Sequence, residues 1–331
     1  MSAPEPNSPQ QHTPVMLAEV LDALAPRPGR LYVDATFGAG GYAAAILDTA
    51  PCRVLGLDRD PDACRRAEAM VARYAGRLTV VHGRFGDLSA IAAARDIAAI
   101  DGIAFDLGVS SPQLDTSERG FSFRFDGPLD MRMDTTCGVP AADAVNRMPE
   151  DDLADLIWRL GDERFSRRIA RAIVRARTVT RIDRTARLAE VIRSVLPRAA
   201  DGIDPATRTF QALRIWVNDE LGELERGLVA AEALLVSGGR LVVVAFHSLE
   251  DRLVKNFLRQ RTGGEPRASR HLPGTADSEP PASFRLITRR PLRPSPRELA
   301  DNPRSRSARL RAAERVVVAP NDAPNATRRA A

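Results

Sequence analysis

The run Leu31-Tyr32-Val33-Asp34-Ala35-Thr36-Phe37-Gly38-Ala39-Gly40-Gly41-Tyr42, followed by Leu55-Gly56-Leu57-Asp58-Arg59-Asp60, constrains this chain more than anything else in it. A short β-rich stretch ends in a glycine-dense turn, an alanine-rich helical stretch follows, and a second apolar stretch ends in acid. That order is half of a nucleotide-cofactor site. Glycine lets a backbone come closer to a ligand than any side chain would permit. An acid at the tip of the second strand is placed to take both hydroxyls of a ribose. Dehydrogenases, methyltransferases and unrelated folds share such a turn, so the remaining sequence has to decide between them.

At 331 residues, 44% of them apolar, the chain can bury a core of one large or two modest domains. No apolar run approaches the ~20 residues that span a bilayer, and Met1–Gln11 is polar and proline-rich, unlike a secretory leader. Cys52, Cys64 and Cys137 have neither CxxC spacing nor a histidine cluster beside them. Structural zinc and a disulfide framework are both disfavoured, no metal is expected, and a cytoplasmic setting fits. The net charge of +5 conceals an asymmetry: residues 1–251 carry 30 basic against 36 acidic side chains, and residues 252–331 carry 18 against 7. A basic C-terminal quarter on an acidic body points to a polyanionic partner.

Thr13-Pro14 reads as the N-cap and first turn of a helix through Leu24. Strand candidates follow at Leu31–Phe37, Arg53–Asp58, Leu78–Gly83, Gly102–Leu107 and Arg240–Phe246, with helices at Ala43–Thr49 and Pro61–Tyr74. Apolar strands alternating with helices predict an α/β fold with a parallel sheet covered on both faces. The rhythm breaks between Leu107 and Arg240, where the sequence is largely helical and too long for one crossover. The expected division is a sheet domain in two segments, 1–114 and 216–331, with a helical insertion at 115–215. Inside the insertion Arg164, Arg167, Arg168, Arg171 and Arg175 share one helical face, with Phe165, Ile169, Ala172 and Ile173 on the other and Glu163 the nearby acid. That face suits phosphate contacts. Thr262–Ser283 reads as a loop, Phe284–Thr288 as a short strand, and Ser295-Pro-Arg-Glu298 as a capping box.

The glycines fit a dinucleotide poorly. Gly38, Gly40 and Gly41 leave no third glycine at the offset that G-x-G-x-x-G requires, and Asp34 sits ahead of them. S-adenosyl-L-methionine suits this turn better, because its amino-acid part carries an ammonium that a carboxylate or turn carbonyls can hold. Asp58 is the expected ribose ligand, with Asp60 the alternative. In His82-Gly-Arg-Phe85-Gly-Asp87, Phe85 can face an adenine and Asp87 can accept from its amine. The fourth strand ends Phe105-Asp106-Leu-Gly-Val-Ser110-Ser111-Pro-Gln113, at the carboxyl edge where an open α/β sheet binds its ligand. The fifth ends Phe246-His247-Ser248-Leu-Glu250-Asp251, where His247 can meet a substrate phosphate or base.

These strings together resemble the ribosomal RNA small-subunit methyltransferase H family, the MraW type. The resemblance runs from His12-Thr-Pro-Val to the Arg304–Arg315 segment. It also rests on Arg119-Gly-Phe-Ser-Phe, Asp126-Gly-Pro-Leu-Asp-Met-Arg-Met, Thr207-Arg-Thr-Phe-Gln-Ala-Leu-Arg-Ile and Asn302-Pro-Arg-Ser-Arg-Ser-Ala. It implies a Rossmann-like class I S-adenosylmethionine-dependent methyltransferase sheet, with the helical insertion recognising substrate. The implied activity is methylation of the N4 amine of a decoding-centre cytidine in bacterial 16S rRNA, carried by the small subunit or its late precursor. Cofactor contacts then fall on Gly40, Gly41, Tyr42, Asp58, Phe85, Asp106 and Gln113. Asp106 is the candidate acceptor from the amine, and Ser110, Ser111, His247, Arg164, Arg168 and Arg171 are candidate substrate contacts, with further phosphate contacts over Arg304–Arg311. Two departures matter. Tyr42 stands where the family usually has histidine, and Gly-Val-Ser-Ser replaces the Pro-Pro-aromatic loop of many amino methyltransferases, leaving Phe121 or Phe123 to stack the target base. The rival readings are a DNA cytosine-N4 methyltransferase and an RNA-binding assembly factor without catalysis.

Overall fold

The computed structural model describes residues 14–196, 202, 204–263 and 282–316. Its centre is a seven-stranded sheet in the order β3-β2-β1-β4-β5-β7-β6. The strands are β1 Leu31–Asp34, β2 Arg53–Asp58, β3 Leu78–His82, β4 Ile100–Asp106, β5 Leu235–Ala245, β6 Phe284–Leu286 and β7 Arg309–Arg315. The first five are parallel, and β7 runs antiparallel between β5 and β6. Successive strands go outward from β1 to β3 and then return to β4 on the other side. That reversal opens a crevice at the carboxyl ends of β1 and β4, the position where such sheets bind ligands.

Both faces of the sheet are covered, so β4 is buried along its length rather than on alternate residues. One face packs Tyr32, Val54, Ala104, Val242 and Leu310 against the helices Leu17–Leu24 and Gly41–Thr49. The other packs Val33, Leu55, Ile103, Phe105 and Val243 against the helices Glu220–Leu234 and Ser248–Arg261. A third apolar cluster draws on Phe121 through Leu213 alone. Ile157, Ile169, Ile173, Leu188, Ile192 and Leu213, all sealed from solvent, join the helices Glu150–Gly161, Ser166–Val179, Thr185–Val195 and Thr207–Asn218. At about 1.5–3 kcal/mol for each fully buried aliphatic side chain, this cluster holds those helices together without help from the sheet.

Several sequence expectations shift. Thr13 lies outside the described residues, as do Met1–Gln11 and 264–281 of the expected loop. The first helix begins at Leu17, after Met16 in a left-handed conformation, and Pro14 instead packs on the glycine turn. The first strand stops at Asp34, where the chain enters the glycine turn, although Ala35 and Phe37 still donate to the Ala104 and Leu57 carbonyls of the flanking strands. The expected helix Pro61–Tyr74 divides at Ala67 into Pro61–Arg66 and Glu68–Arg73. Strand β5 starts earlier, at Leu235, and the short strand ends at Leu286. Ser295 caps its helix, but Glu298 does not return the bond. Its carboxylate takes the Met16 N–H across the fold. Phe165 is exposed rather than on the apolar face of its helix, where Ala170 is buried instead.

Candidate active site

A cavity of about 420 Å³ opens over the carboxyl ends of β1 to β5. Its floor is built by the turn after β1. The Asp34 carboxylate accepts Thr36 N–H at 3.3 Å and Ala43 N–H at 3.1 Å, clamping the turn to the first turn of the following helix. The Asp58 carboxylate accepts Gly38 N–H at 2.6 Å and Asp60 N–H at 2.8 Å, joining the tip of β2 to the same turn. Gly38 and Gly41 line the cavity, whereas Gly40, expected among the cofactor contacts, does not. At Gly40, φ is +77°, and a Cβ would lie 2.6 Å from Phe37 and 2.7 Å from Met70. Its missing side chain makes room for apolar packing under the turn rather than for a ligand.

The expected residues then separate by the bonds they already make. Tyr42 lines the cavity, but its hydroxyl donates to the Val15 carbonyl and the ring is buried. Phe85 borders the cavity with its ring edge-on to Phe105, 5.5 Å between centroids. Asp87 is exposed and does not reach the cavity. The acid on that wall is Glu223, buried and accepting Gly86 N–H at 3.0 Å. Asp60 is not free for a ribose, because it caps the helix at Pro61 and holds Arg119 at 2.8 Å and Gln113 Nε2 at 2.9 Å. Gln113 lines the cavity and also braces the Gly108–Asp115 loop, its Oε1 accepting Ser110 N–H. Ser110 and Ser111 line the cavity on that loop.

Asp106 differs from all of these. Its backbone N–H donates to Thr36 Oγ1 at 2.7 Å, but its buried Oδ1 has no hydrogen-bond partner. Burial first, then the neighbouring Asp34 and Glu250 carboxylates, hold its pKa well above the usual range. Burial also raises Asp34, to about 7, with Asp58 adding to it. Asp58 is raised as well, again mainly by burial. Three desolvated, mutually repelling carboxylates around one cavity favour a cationic ligand over any anion. The sulfonium and ammonium of S-adenosylmethionine meet that demand, and a pyrophosphate does not. Asp106, with the buried Asp34 beside it, would hold the cationic portion of such a ligand, and Asp58 and Phe85 border the cavity on the side of β2 and β3.

At the β5 end, Phe246 and Glu250 line the cavity together with Arg214 and Glu220. His247 does not line it. Its Nδ1 accepts Glu250 N–H, so it caps the helix Ser248–Arg261. Phe121 and Phe123, the expected stacking rings, belong to the helical cluster; Phe123 packs edge-on to Phe210. The aromatic residue lining the cavity at its β5 end is Phe246, which the sequence strings contained without a role. Arg304 reaches the cavity rim and pairs with Asp115 at 2.6 Å, while Arg309 and Arg311 turn inward to Asp251 at 2.9 and 2.7 Å. Arg311 is thereby committed to an internal ion pair, whereas Arg309 keeps 40% of its side chain exposed. Arg164, Arg168 and Arg171 are exposed, as expected, although Arg171 also meets Glu150 at 3.4 Å. Arg168, Arg171 and Arg175 line one side of a groove of about 660 Å³, faced by Arg187 and Glu190 from the next helix.

Known proteins agree with this geometry. Ribosomal RNA small subunit methyltransferase H of Paramagnetospirillum magneticum is 59% identical over 310 residues, covering 94% of this chain and 97% of that one. The protein of the same name from Rhodospirillum centenum is 62% identical, covering 94% of each chain. The family model described as the MraW methylase family matches residues 9–316. The chain belongs to the MraW methylase family, as an S-adenosylmethionine-dependent methyltransferase on a class I sheet.

Proposed function

We propose that this protein methylates the exocyclic N4 amine of a decoding-centre cytidine in small-subunit ribosomal RNA, at Asp106. The observation that carries this reading is the unpartnered Oδ1 of Asp106, buried at the tip of β4 between the cation-favouring turn and the Phe246 wall. When bound, S-adenosylmethionine supplies an electrophilic methyl group on its sulfonium. The cytosine amine is a weak nucleophile, because its lone pair is delocalised into the ring. A carboxylate accepting one of its hydrogens favours the pyramidal geometry that the new bond requires, and so acts chiefly on the transition state. A carboxylate made basic by burial is the better acceptor for the proton that this nitrogen must shed. Ser110 and Ser111 shape the loop, and the crevice walls exclude the water that would compete for Asp106. A base reaches such a crevice only after leaving its stack.

The helical segment 115–215 is the substrate-recognition part of this proposal. Its groove sets Arg168 and Arg175, which make no ion pair among the described residues, over an apolar floor of Ala172, Ala176 and Val191. Such a surface suits the sugar-phosphate backbone flanking the target, with Arg164 extending it. Replacing Arg168 and Arg175 together with glutamate should weaken binding to small-subunit particles about tenfold and lower the slope of log affinity against log salt by about 1–2. An unchanged slope removes the groove from the RNA contact. The decisive test of the whole reading is transfer of labelled methyl to intact small subunits, naked rRNA and DNA, with mass spectrometry of the product. Methyl on N4 of one rRNA cytidine supports it, and preference for DNA or no transfer overturns it.

No described helix is long and apolar enough to cross a membrane.

A further inference from the structure

Arg214 lies in the cavity wall on the helix Thr207–Asn218, and nothing in the proposed transfer step has used it. Its Nε and Nη2 donate to the two carboxylate oxygens of Glu220 at 2.8 and 2.9 Å. The remaining nitrogen, Nη1, bonds to nothing among the described residues. Arg214 lines the cavity with its side chain 17% exposed, which leaves Nη1 as the guanidinium nitrogen available to a ligand. The guanidinium is held in one orientation by a fork-to-fork pair, with one edge left to read a ligand.

The neighbours fix which part of the ligand that edge meets. Ligand atoms of Glu220, His247 and Glu250 lie within 4.8 Å of one another, and they place the Arg214–Glu220 pair at the tip of β5. Glu250 accepts the Phe246 N–H at 2.8 Å, two residues beyond the point where β5 pairs Val244 with Asp106, and Asp106, Arg214 and Glu250 all line the cavity at that end. The wall at Phe85 begins one helical turn beyond Glu220, where Glu223 accepts the Gly86 N–H. Three such donors would also suit a divalent cation, but the Arg214 guanidinium already supplies the positive charge there.

We infer that Arg214 is a specificity residue for the base, its free Nη1 donating to the N3 and O2 acceptor edge of cytosine while Asp106 accepts from N4. Adjacent donor and acceptor groups of this kind match cytosine, whose ring offers an amine beside an unprotonated N3. Uracil offers the reverse pattern and would leave both protein groups facing like partners. This inference rests on the cytosine-N4 reading above and adds the residue that reads the ring.

The test pairs a protein change with a base change. Small-subunit particles carrying cytidine or 3-deazacytidine at the methylated position keep the amine but differ in the N3 acceptor. For the wild-type protein and for Arg214→Gln, the ratio of kcat/KM on the two particles is measured, so that the intrinsic reactivity of the amines cancels. The expected result is a ratio at least tenfold smaller in Arg214→Gln, because the variant has no contact with N3 to lose. An equal ratio in both proteins overturns the inference. Titration with S-adenosylhomocysteine verifies that the variant is folded. Should Arg214→Gln fail to fold with Glu220 left unpaired, the double variant Arg214→Gln/Glu220→Gln carries the same comparison. Methyl found on an atom other than N4 in the wild-type reaction defeats the parent reading instead, whereas methyl on N4 with an unchanged ratio defeats only the role of Arg214.

Discussion

The tips of β1 and β4 lie side by side in the sheet, each ends in an aspartate, and the two aspartates have opposite fates. Asp34 spends both oxygens on backbone N–H groups of its own turn. Asp106 leaves Oδ1 bare. Thr36 connects them, donating its N–H to Asp34 and accepting the Asp106 N–H on its hydroxyl. The same residue type, in the same crevice and under the same desolvation, is a structural clamp in one place and an unpaired acceptor in the other. What separates them is hydrogen-bond saturation, because an oxygen already accepting from the backbone has little left to offer a substrate.

Substitution by asparagine at each position is the sharpest way to break this comparison. Asp106→Asn keeps the shape of the side chain but removes the basic acceptor, and kcat should fall about 10²- to 10⁴-fold. Affinity for S-adenosylhomocysteine should stay within a few-fold, since that product lacks the sulfonium. Transfer at the wild-type rate in this variant would end the assignment. Asp34→Asn should instead act on the fold. One amide N–H would be turned against a backbone N–H, costing about 1–3 kcal/mol in chemical denaturation. A variant equally stable but inactive would mean that Asp34, too, acts on the reaction.

The pH dependence separates the clamp from the acceptor further. The Asp34 pKa is about 7 in the fold, against 3.8 for an unperturbed carboxyl. Between those values the folded state holds a proton that the unfolded chain has released. The associated stability is therefore complete below about pH 4 and is lost as pH rises through about 7. On the order of 4 kcal/mol should disappear over that window in the wild type, and Asp34→Asn should flatten the slope. A cationic ligand favours the ionised carboxylates, so binding releases protons and affinity rises with pH. S-adenosylmethionine, with its extra sulfonium charge, should show a steeper rise between pH 6 and 8 than S-adenosylhomocysteine. Calorimetry in buffers of different ionisation enthalpy reads the proton count directly, and equal slopes for the two ligands would contradict the cation-favouring site.

The β1 side of the crevice was legible in the sequence because its parts are contiguous. A strand, a glycine turn and the acids Asp34 and Asp58 fall within 28 residues, and local order places them with little help from the rest of the chain. The β4 side was legible in part: Asp106, Ser110 and Ser111 form one string ending at a strand tip. The remainder depends on contacts that sequence spacing does not encode. Arg214 lies on the last helix of the insertion and Glu220 and Glu223 on the helix that follows, and only folding brings them to the tips of β3 and β5. Phe246 and His247 are adjacent in sequence, yet one faces the cavity and the other caps a helix. Gly40 was read as ligand space and is packing space, because Phe37 and Met70 arrive from positions that a turn motif does not specify. The arginines of the last strand were read as a free basic surface, but Asp251 pairs with both Arg309 and Arg311.

Tyr42 supplies the smallest expected effect and a limit on how far the turn tolerates change. It lies inside the stretch that places Asp34 and Gly41. Its hydroxyl does not address the cavity's carboxylates; it donates to the Val15 carbonyl and ties the segment before the first helix to the turn. Pro14 in that segment already covers Gly41, where a Cβ would lie 2.2 Å from the proline Cγ. Tyr42→Phe should therefore cost only the net value of one buried hydrogen bond, about 0.5–1.5 kcal/mol of stability. Cofactor affinity and kcat should remain within about threefold, because apolar packing of the ring and of Pro14 would still hold the segment down. A larger loss of affinity with unchanged stability would show that the tyrosine hydroxyl works on the ligand, and that the clamp at β1 extends into the chemistry assigned here to β4.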